Sequence, residues 1–172
     1  MRVVGIVGRS GSGKTTLIER VLPLLRAHGL SVSTVKHTHH AVDLDRPGKD
    51  SHRHRLAGAG EVLLVSDRRW ALLRETPDAP MRLADLLPRL APVDLVLVEG
   101  FGDYPGVRLE VASAALAALP AGRPLFLDDP AIAAIAADAP LPGWTGMRFD
   151  RDDLAAIAAW IMALPEQENG RS

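Results

Sequence analysis

A chain of 172 residues, 47% hydrophobic and 24% charged, has enough material for one α/β domain with a buried core. Its formal net charge of -1 supplies no overall field toward nucleic acid or a membrane, so any anion site has to be local. The absence of cysteine excludes a disulfide framework, a thiolate metal site and a cysteine nucleophile.

Arg2 to Val7 predicts a buried first strand. The run is too short for the apolar stretch of a signal peptide, and no run approaches the roughly 18 apolar residues of a membrane span. A cytoplasmic protein without nucleic-acid or membrane partners is expected. Lys14 to Ala27 predicts a helix with Leu17, Ile18, Val21, Leu22, Leu24 and Leu25 near one face. Pro23 is expected to kink or divide it, and Gly29 to stop it. Leu30 to Val35 reads as the second strand, followed by a polar loop from Lys36 to Lys49. Asp50 or Ser51 is expected to cap a short helix ending near Gly58.

Glu61 to Ser66 and Trp70 to Arg74 predict a hairpin, and Arg82 to Leu90 a helix. Val93 to Val98 is a continuous apolar strand; Val107 to Val111 and Leu125 to Leu127 are expected as further strands. The alanine-rich stretches 112–121 and 131–139 read as helix. A closing helix is expected from Asp150 or Arg151 to Leu164. Apolar runs alternating with helical patterns argue for an α/β fold with a mostly parallel sheet, helices on both faces and a β-hairpin extension. One domain is expected over 1–164, with a polar tail at 165–172.

Gly8-Arg9-Ser10-Gly11-Ser12-Gly13-Lys14-Thr15 matches the pattern G-x-x-x-x-G-K-[ST] and stands between a strand and a helix, as a phosphate-binding loop requires. Glycines let the backbone turn its N–H groups inward, and the helix N-terminus adds partial positive charge. Lys14 is expected to reach the β and γ oxygens of a nucleoside triphosphate, Thr15 to ligate Mg2+, and Thr16 to touch the α-phosphate. The fold expected on this ground is the three-layer sandwich of P-loop NTPases. Such proteins place an acidic residue at the end of a neighbouring strand, beside the metal. In Asp94-Leu95-Val96-Leu97-Val98-Glu99-Gly100, Glu99 holds that place, while Asp94 starts the strand at the opposite edge.

Five of the six histidines fall between His37 and His54, mixed with Lys36, Asp43, Asp45, Lys49, Asp50, Arg53 and Arg55. Three readings stay open: a zinc or nickel site, an anion or partner contact, and a solvated loop. The loop follows the second strand, so it is expected at the sheet edge that carries the phosphate loop. There Asp45 or Asp50 is expected to bond a magnesium-bound water or hold the attacking water; Asp45 is assigned to the metal and Asp50 to catalysis beside Lys14.

With Gly8 to Thr16, the sequence carries Val35-Lys36-His37-Thr38-His39-His40, Asp45 with Gly48-Lys49-Asp50-Ser51, Arg55 with Ala57-Gly58-Ala59, Leu95 to Phe101 and Leu109-Glu110-Val111. In these, over roughly the first two thirds of its length, it resembles the molybdopterin-guanine dinucleotide biosynthesis adapter proteins, MobB. The resemblance implies a GTP-binding, homodimeric protein with slow hydrolysis at most. It further implies work beside the guanylyltransferase MobA, in attaching GMP to molybdopterin. One departure is Gly102, where the family usually has lysine; a later basic position is kept as Arg108. No Asn-Lys-x-Asp guanine motif is present, and Asp128 or Asp129 is expected either to accept from guanine or to cap a helix at Pro130. The competing readings are a small-molecule kinase and a metal-delivery GTPase using the histidine loop.

Overall fold

The computed structural model of the chain describes residues 1–38, 44–76, 81–102, 106–119 and 122–166. Of the loop histidines, His39 and His40 lie outside the described residues, as does the tail beyond Glu166. The chain forms two compact units, Met1–His37 with Leu90–Ser172, and Thr38–Arg89.

The first unit is built on six strands: β1 (Arg2–Val7), β2 (Val32–Lys36), β5 (Leu95–Glu99), β6 (Arg108–Ala112), β7 (Ile132–Ala137) and β8 (Met147–Phe149). Their order is β2-β5-β1-β6-β7-β8, and every neighbouring pair is parallel. Parallel strands need crossover connections, and α1 (Lys14–Ala27) supplies the one from β1 to β2. α1 (Lys14–Ala27) and α5 (Leu154–Ala163) pack through Leu17, Ile18, Val21, Leu25, Ile157 and Ile161 onto Val4, Ile6, Leu95, Leu97, Leu109 and Val111. On the opposite face Val7, Ile135 and Ala137 meet α4 (Ala114–Ala117), Leu125, Phe126 and Trp144. The expected class, a parallel sheet with helices on both faces, is what the chain forms.

The second unit holds α2 (Asp50–Leu56), α3 (Leu83–Leu86) and the antiparallel hairpin of β3 (Glu61–Val65) and β4 (Trp70–Arg74). Among the described residues no helix is long and apolar enough to cross a membrane.

Several expectations need correction. Pro23 does not divide α1 into two elements; it lies exposed, so the Glu19 carbonyl that it leaves without a donor faces water. The stretch 131–139, expected as helix, contains β7. Its Ala134 and Ala136 face α1 and α5 while Ile135 and Ala137 face the other layer, an alternation that only a strand produces. Leu125–Leu127, expected as a strand, is a 3-10 turn, because the Glu110 carboxylate accepts the N–H groups of Leu125 (2.7 Å) and Phe126 (2.9 Å). β8 was not anticipated; with three residues it carries almost no periodicity.

Helix ends shift for local reasons. α3 gives way to a 3-10 turn at Leu87–Arg89, where Pro88 lacks the N–H that an α-helix needs. α5 starts later than expected, because Asp153 caps it by accepting from the Ala156 N–H at 3.1 Å. Lys49, rather than Asp50 or Ser51, stands at the cap position of α2, and the Ser51 hydroxyl instead donates to Asp45 at 2.6 Å.

The assignment of β7 is testable through stability. Ala134 is fully buried under the helices. Ala134→Leu should overpack that layer and destabilise the protein by about 1–3 kcal/mol, measured by urea unfolding. On an exposed helix the same change would be close to neutral.

Candidate functional site

Because all six strands are parallel, their carboxyl ends share one edge, the edge at which open α/β sheets bind ligands. β1 reaches it at Val7, between β5 and β6, and the loop from Gly8 to Gly13 then turns into α1. Gly8 has φ +141°, and a Cβ there would stand 2.3 Å from the Val111 carbonyl oxygen, so only glycine lets the loop leave the sheet this tightly. Gly13 occupies the cap position at φ 98° with no side chain bonded across the helix start. The first-turn N–H groups are therefore presented to a ligand rather than to the protein's own side chains. Ser10, Gly11, Thr15 and Thr16 are exposed around this opening. Ser12 is buried, and its hydroxyl has no partner among the described residues. A donor left over in this loop fits the oxygen-rich ligand that the backbone also fits.

Lys14 arches back over the loop, its ammonium donating to the carbonyls of Gly8 (2.9 Å) and Arg9 (3.0 Å). Burial pushes its pKa down; the Glu99 carboxylate opposes this and the Lys36 ammonium adds to it. Beside it the Thr15 hydroxyl donates to Glu99 Oε1 at 2.9 Å. β2 and β5 are in register with Lys36 opposite Glu99, and Lys36 Nζ lies 3.3 Å from the same carboxylate oxygen and 3.4 Å from Thr15 Oγ1. A hydroxyl and a carboxylate side by side form the hard-oxygen pair that suits Mg2+. Lys36 already supplies a positive charge at that pair.

Gly100 follows at φ +94°, where a Cβ would sit 2.7 Å from the His37 carbonyl oxygen. The His37 N–H donates to the Glu99 carbonyl at 2.8 Å, and its ring stacks at 4.6 Å on Phe101. The first of the loop histidines is thus packed behind the acidic strand end.

A cavity of about 230 Å³ opens next to Gly8, Lys14 and Gly100, closed on the far side by Arg108, Asp128 and Asp129. Arg108 pairs with Asp129 and Arg123 with Asp128. Beneath them Glu110 is buried; burial pushes its pKa up, against the two backbone N–H bonds that pull it down. The Arg9 guanidinium donates to the Arg123 carbonyl at 2.8 Å, tying the loop to this wall.

Of the residues expected at the site, Thr15 and Glu99 meet directly, the Lys14 ammonium feels the Glu99 charge, and Gly8, Lys14 and Asp128 share the cavity. Asp45 and Asp50 belong to the second unit. Asp45 accepts from Ser51 at 2.6 Å and from Arg55 at 3.3 Å, and exposed Asp50 stands 3.7 Å from Arg53. Two features escape the sequence: the hold of Glu110 on Leu125 and Phe126, and the Asp138–Arg151 pair at 3.6 Å. The signal for the first is a charged residue inside an apolar strand. The second follows only once β7 is recognised, since Asp138 is the residue after its end.

Residues 3–138 match the family model described as molybdopterin guanine dinucleotide synthesis protein B, MobB. The chain is 40% identical over 167 residues to the molybdopterin-guanine dinucleotide biosynthesis adapter protein of Escherichia coli (strain K12), covering 94% of this chain and 91% of that one. It is 48% identical over 105 residues to the Haemophilus influenzae protein of the same description, covering 60% and 58%. Among solved structures, a crystal structure of molybdopterin-guanine biosynthesis protein B superposes with a TM-score of 0.70 at 30% identity, covering 95% of this chain and 99% of the other. A phosphate loop at the edge of this parallel sheet, matched over most of the chain, places the protein in the MobB family.

Proposed function

We propose that the protein is a GTP-binding adapter in the biosynthesis of molybdopterin guanine dinucleotide. In this reading it acts in the cytoplasm as a homodimer beside a MobA-type guanylyltransferase that handles molybdopterin. The observation that carries the nucleotide part is the phosphate loop with Thr15 and Glu99 in contact beside it. Residues 1–164 serve as the nucleotide-binding domain, the hairpin unit being an extension of it, and 165–172 as a tail.

The roles follow from chemistry. Gly8, Ser10, Gly11 and Gly13 present backbone N–H groups to phosphate oxygens, and Ser12, whose N–H donates to the Arg9 carbonyl, presents its hydroxyl, unpartnered among the described residues. Lys14 exchanges its two carbonyl acceptors for β- and γ-phosphate oxygens, a stronger charge-assisted bond. Thr16 faces the α-phosphate. Thr15 and Glu99 would hold Mg2+, which would neutralise phosphate charge, and Lys36 would share that task. Asp45 is assigned to a metal-bound water, Asp50 to the attacking water and Asp128 to the nucleotide's own contacts. Rapid hydrolysis needs an arginine aimed at the γ-phosphate, worth about 10³–10⁵ in rate. Arg9 inside the loop is anchored on a carbonyl instead, which supports binding with slow turnover.

The hairpin supports the homodimer. A two-stranded ribbon is marginal alone in water, yet Leu63, Leu64, Val65 and Trp70 are exposed on it, Trp70 to 69%. A second copy offers the same apolar strands in return, the self-complementary pairing of a two-fold interface.

Calorimetric titration with GTP, GDP and ATP, with and without Mg2+, tests the ligand. GTP is expected to bind best and only with Mg2+; a clear preference for ATP would overturn the reading, and Lys14→Ala should abolish triphosphate binding. Glu99→Gln removes one charged metal contact, about 1.5–3 kcal/mol, so the Mg2+ requirement should rise roughly ten- to a hundredfold. Sedimentation of Trp70→Glu is expected to show monomers where the unaltered chain shows dimers.

A further inference from the structure

Thr15 and Glu99 also give the site a direction. Glu99 ends β5, on one side of β1. On the reading above, a metal held by this pair would neutralise charge at the β/γ end of the triphosphate, so the γ end points toward β5. The nucleoside then leaves on the other side of β1, over the carboxyl ends of β6, β7 and β8.

Three side chains stand there: Ser113 after β6, Asp138 after β7 and Arg151 after β8. Asp138 Oδ1 accepts the Ala114 N–H at 2.8 Å, and its Oδ2 lies 3.6 Å from Arg151 Nη1. The other guanidinium nitrogen of Arg151 lies 3.8 Å from the position of a Cβ on Gly13, at the start of α1. The arginine therefore bridges the carboxylate and the end of the phosphate loop. Both side chains remain open to a ligand, at 40% and 37% exposure. The Ala114 N–H, followed by Ser113 and Arg151, holds the Asp138 carboxyl below its ordinary pKa, so it stays an acceptor.

We propose that Asp138 reads the guanine base. Guanine presents two adjacent donors on one edge, N1–H and the amino group on C2. A carboxylate is an acceptor only and takes both. Adenine presents an acceptor at N1 and no amino group on C2, so the same carboxylate meets a lone pair and is left unpaired, the arrangement that discriminates most strongly between ligands. Asp128, the competing carboxylate, faces Arg123 and lines the cavity with Gly8, Lys14 and Gly100, at the phosphate end of the site. This assignment rests on the triphosphate reading, and the test separates the two.

Asp138→Asn keeps an oxygen for the Ala114 N–H while turning one acceptor into a donor. It complements xanthine, which has N1–H next to a carbonyl. Binding of GTP, xanthosine triphosphate and ATP to the full chain, each with Mg2+, is measured for the unaltered protein, Asp138→Asn and Asp128→Asn, with thermal melting as a check on folding. The expected result is a loss of GTP affinity on the order of a hundredfold in Asp138→Asn, a gain for xanthosine triphosphate in the same variant, and an unchanged base preference in Asp128→Asn. Retained GTP preference without the gain in Asp138→Asn, or a switch in Asp128→Asn, would overturn the assignment of the base while leaving the phosphate loop intact. Absence of Mg2+-dependent triphosphate binding in the unaltered protein would sink both.

Discussion

β1 is hydrogen-bonded on both sides, to β5 in the register Ile6 opposite Glu99 and to β6 in the register Val7 opposite Glu110. This pairing decides where everything chemical stands. It brings the end of the acidic strand level with the start of the phosphate loop, so that Thr15, one residue into α1, touches Glu99. On the other side it seats Gly8 against the Val111 carbonyl with no room for a side chain. A slip of one residue in either pairing would turn these side chains to the opposite face. The buried contacts of Val4, Ile6, Leu97 and Leu109 with the two long helices oppose such a slip.

The same geometry resolves an apparent electrostatic mismatch. A chain with a net charge of -1 has no general attraction for an anionic ligand. At the strand ends, however, Lys14 and Lys36 converge on one carboxylate, Glu99, beside an uncapped helix start. The local balance is positive where the chain's total is not, and burial strengthens the field of Lys14 at the cost of its own protonation. Lys36 is drawn in by β-sheet register alone, since Lys36 and Glu99 are paired residues on neighbouring strands.

Glu110 plays the corresponding part on the far wall. A buried carboxylate is costly unless its oxygens are satisfied. Here two backbone N–H groups satisfy it, and in doing so they pull residues 125–127 out of any strand into a tight turn. That turn sets Asp128 and Asp129 opposite Arg123 and Arg108 around the cavity. One charged residue in an apolar strand thus shapes a loop fifteen residues away.

What the sequence determined by itself was whatever depends on neighbours along the chain. The glycines, lysine and threonine of the phosphate loop, the helical stripe of α1, and the apolar run ending in Glu99 were legible because local periodicity and backbone conformation create them. The alanine-rich β7 was not: alanine favours helix on its own, and only the space between two neighbouring strands and the helices above makes Ala134 and Ala136 strand residues. With β7 unread, Asp138 had no address. Tertiary structure alone decided the Lys36–Glu99 pair, the grip of Glu110 and the meeting of Asp138 with Arg151. Each joins residues far apart in the chain, and the pairing of strands is the only thing that brings them within reach.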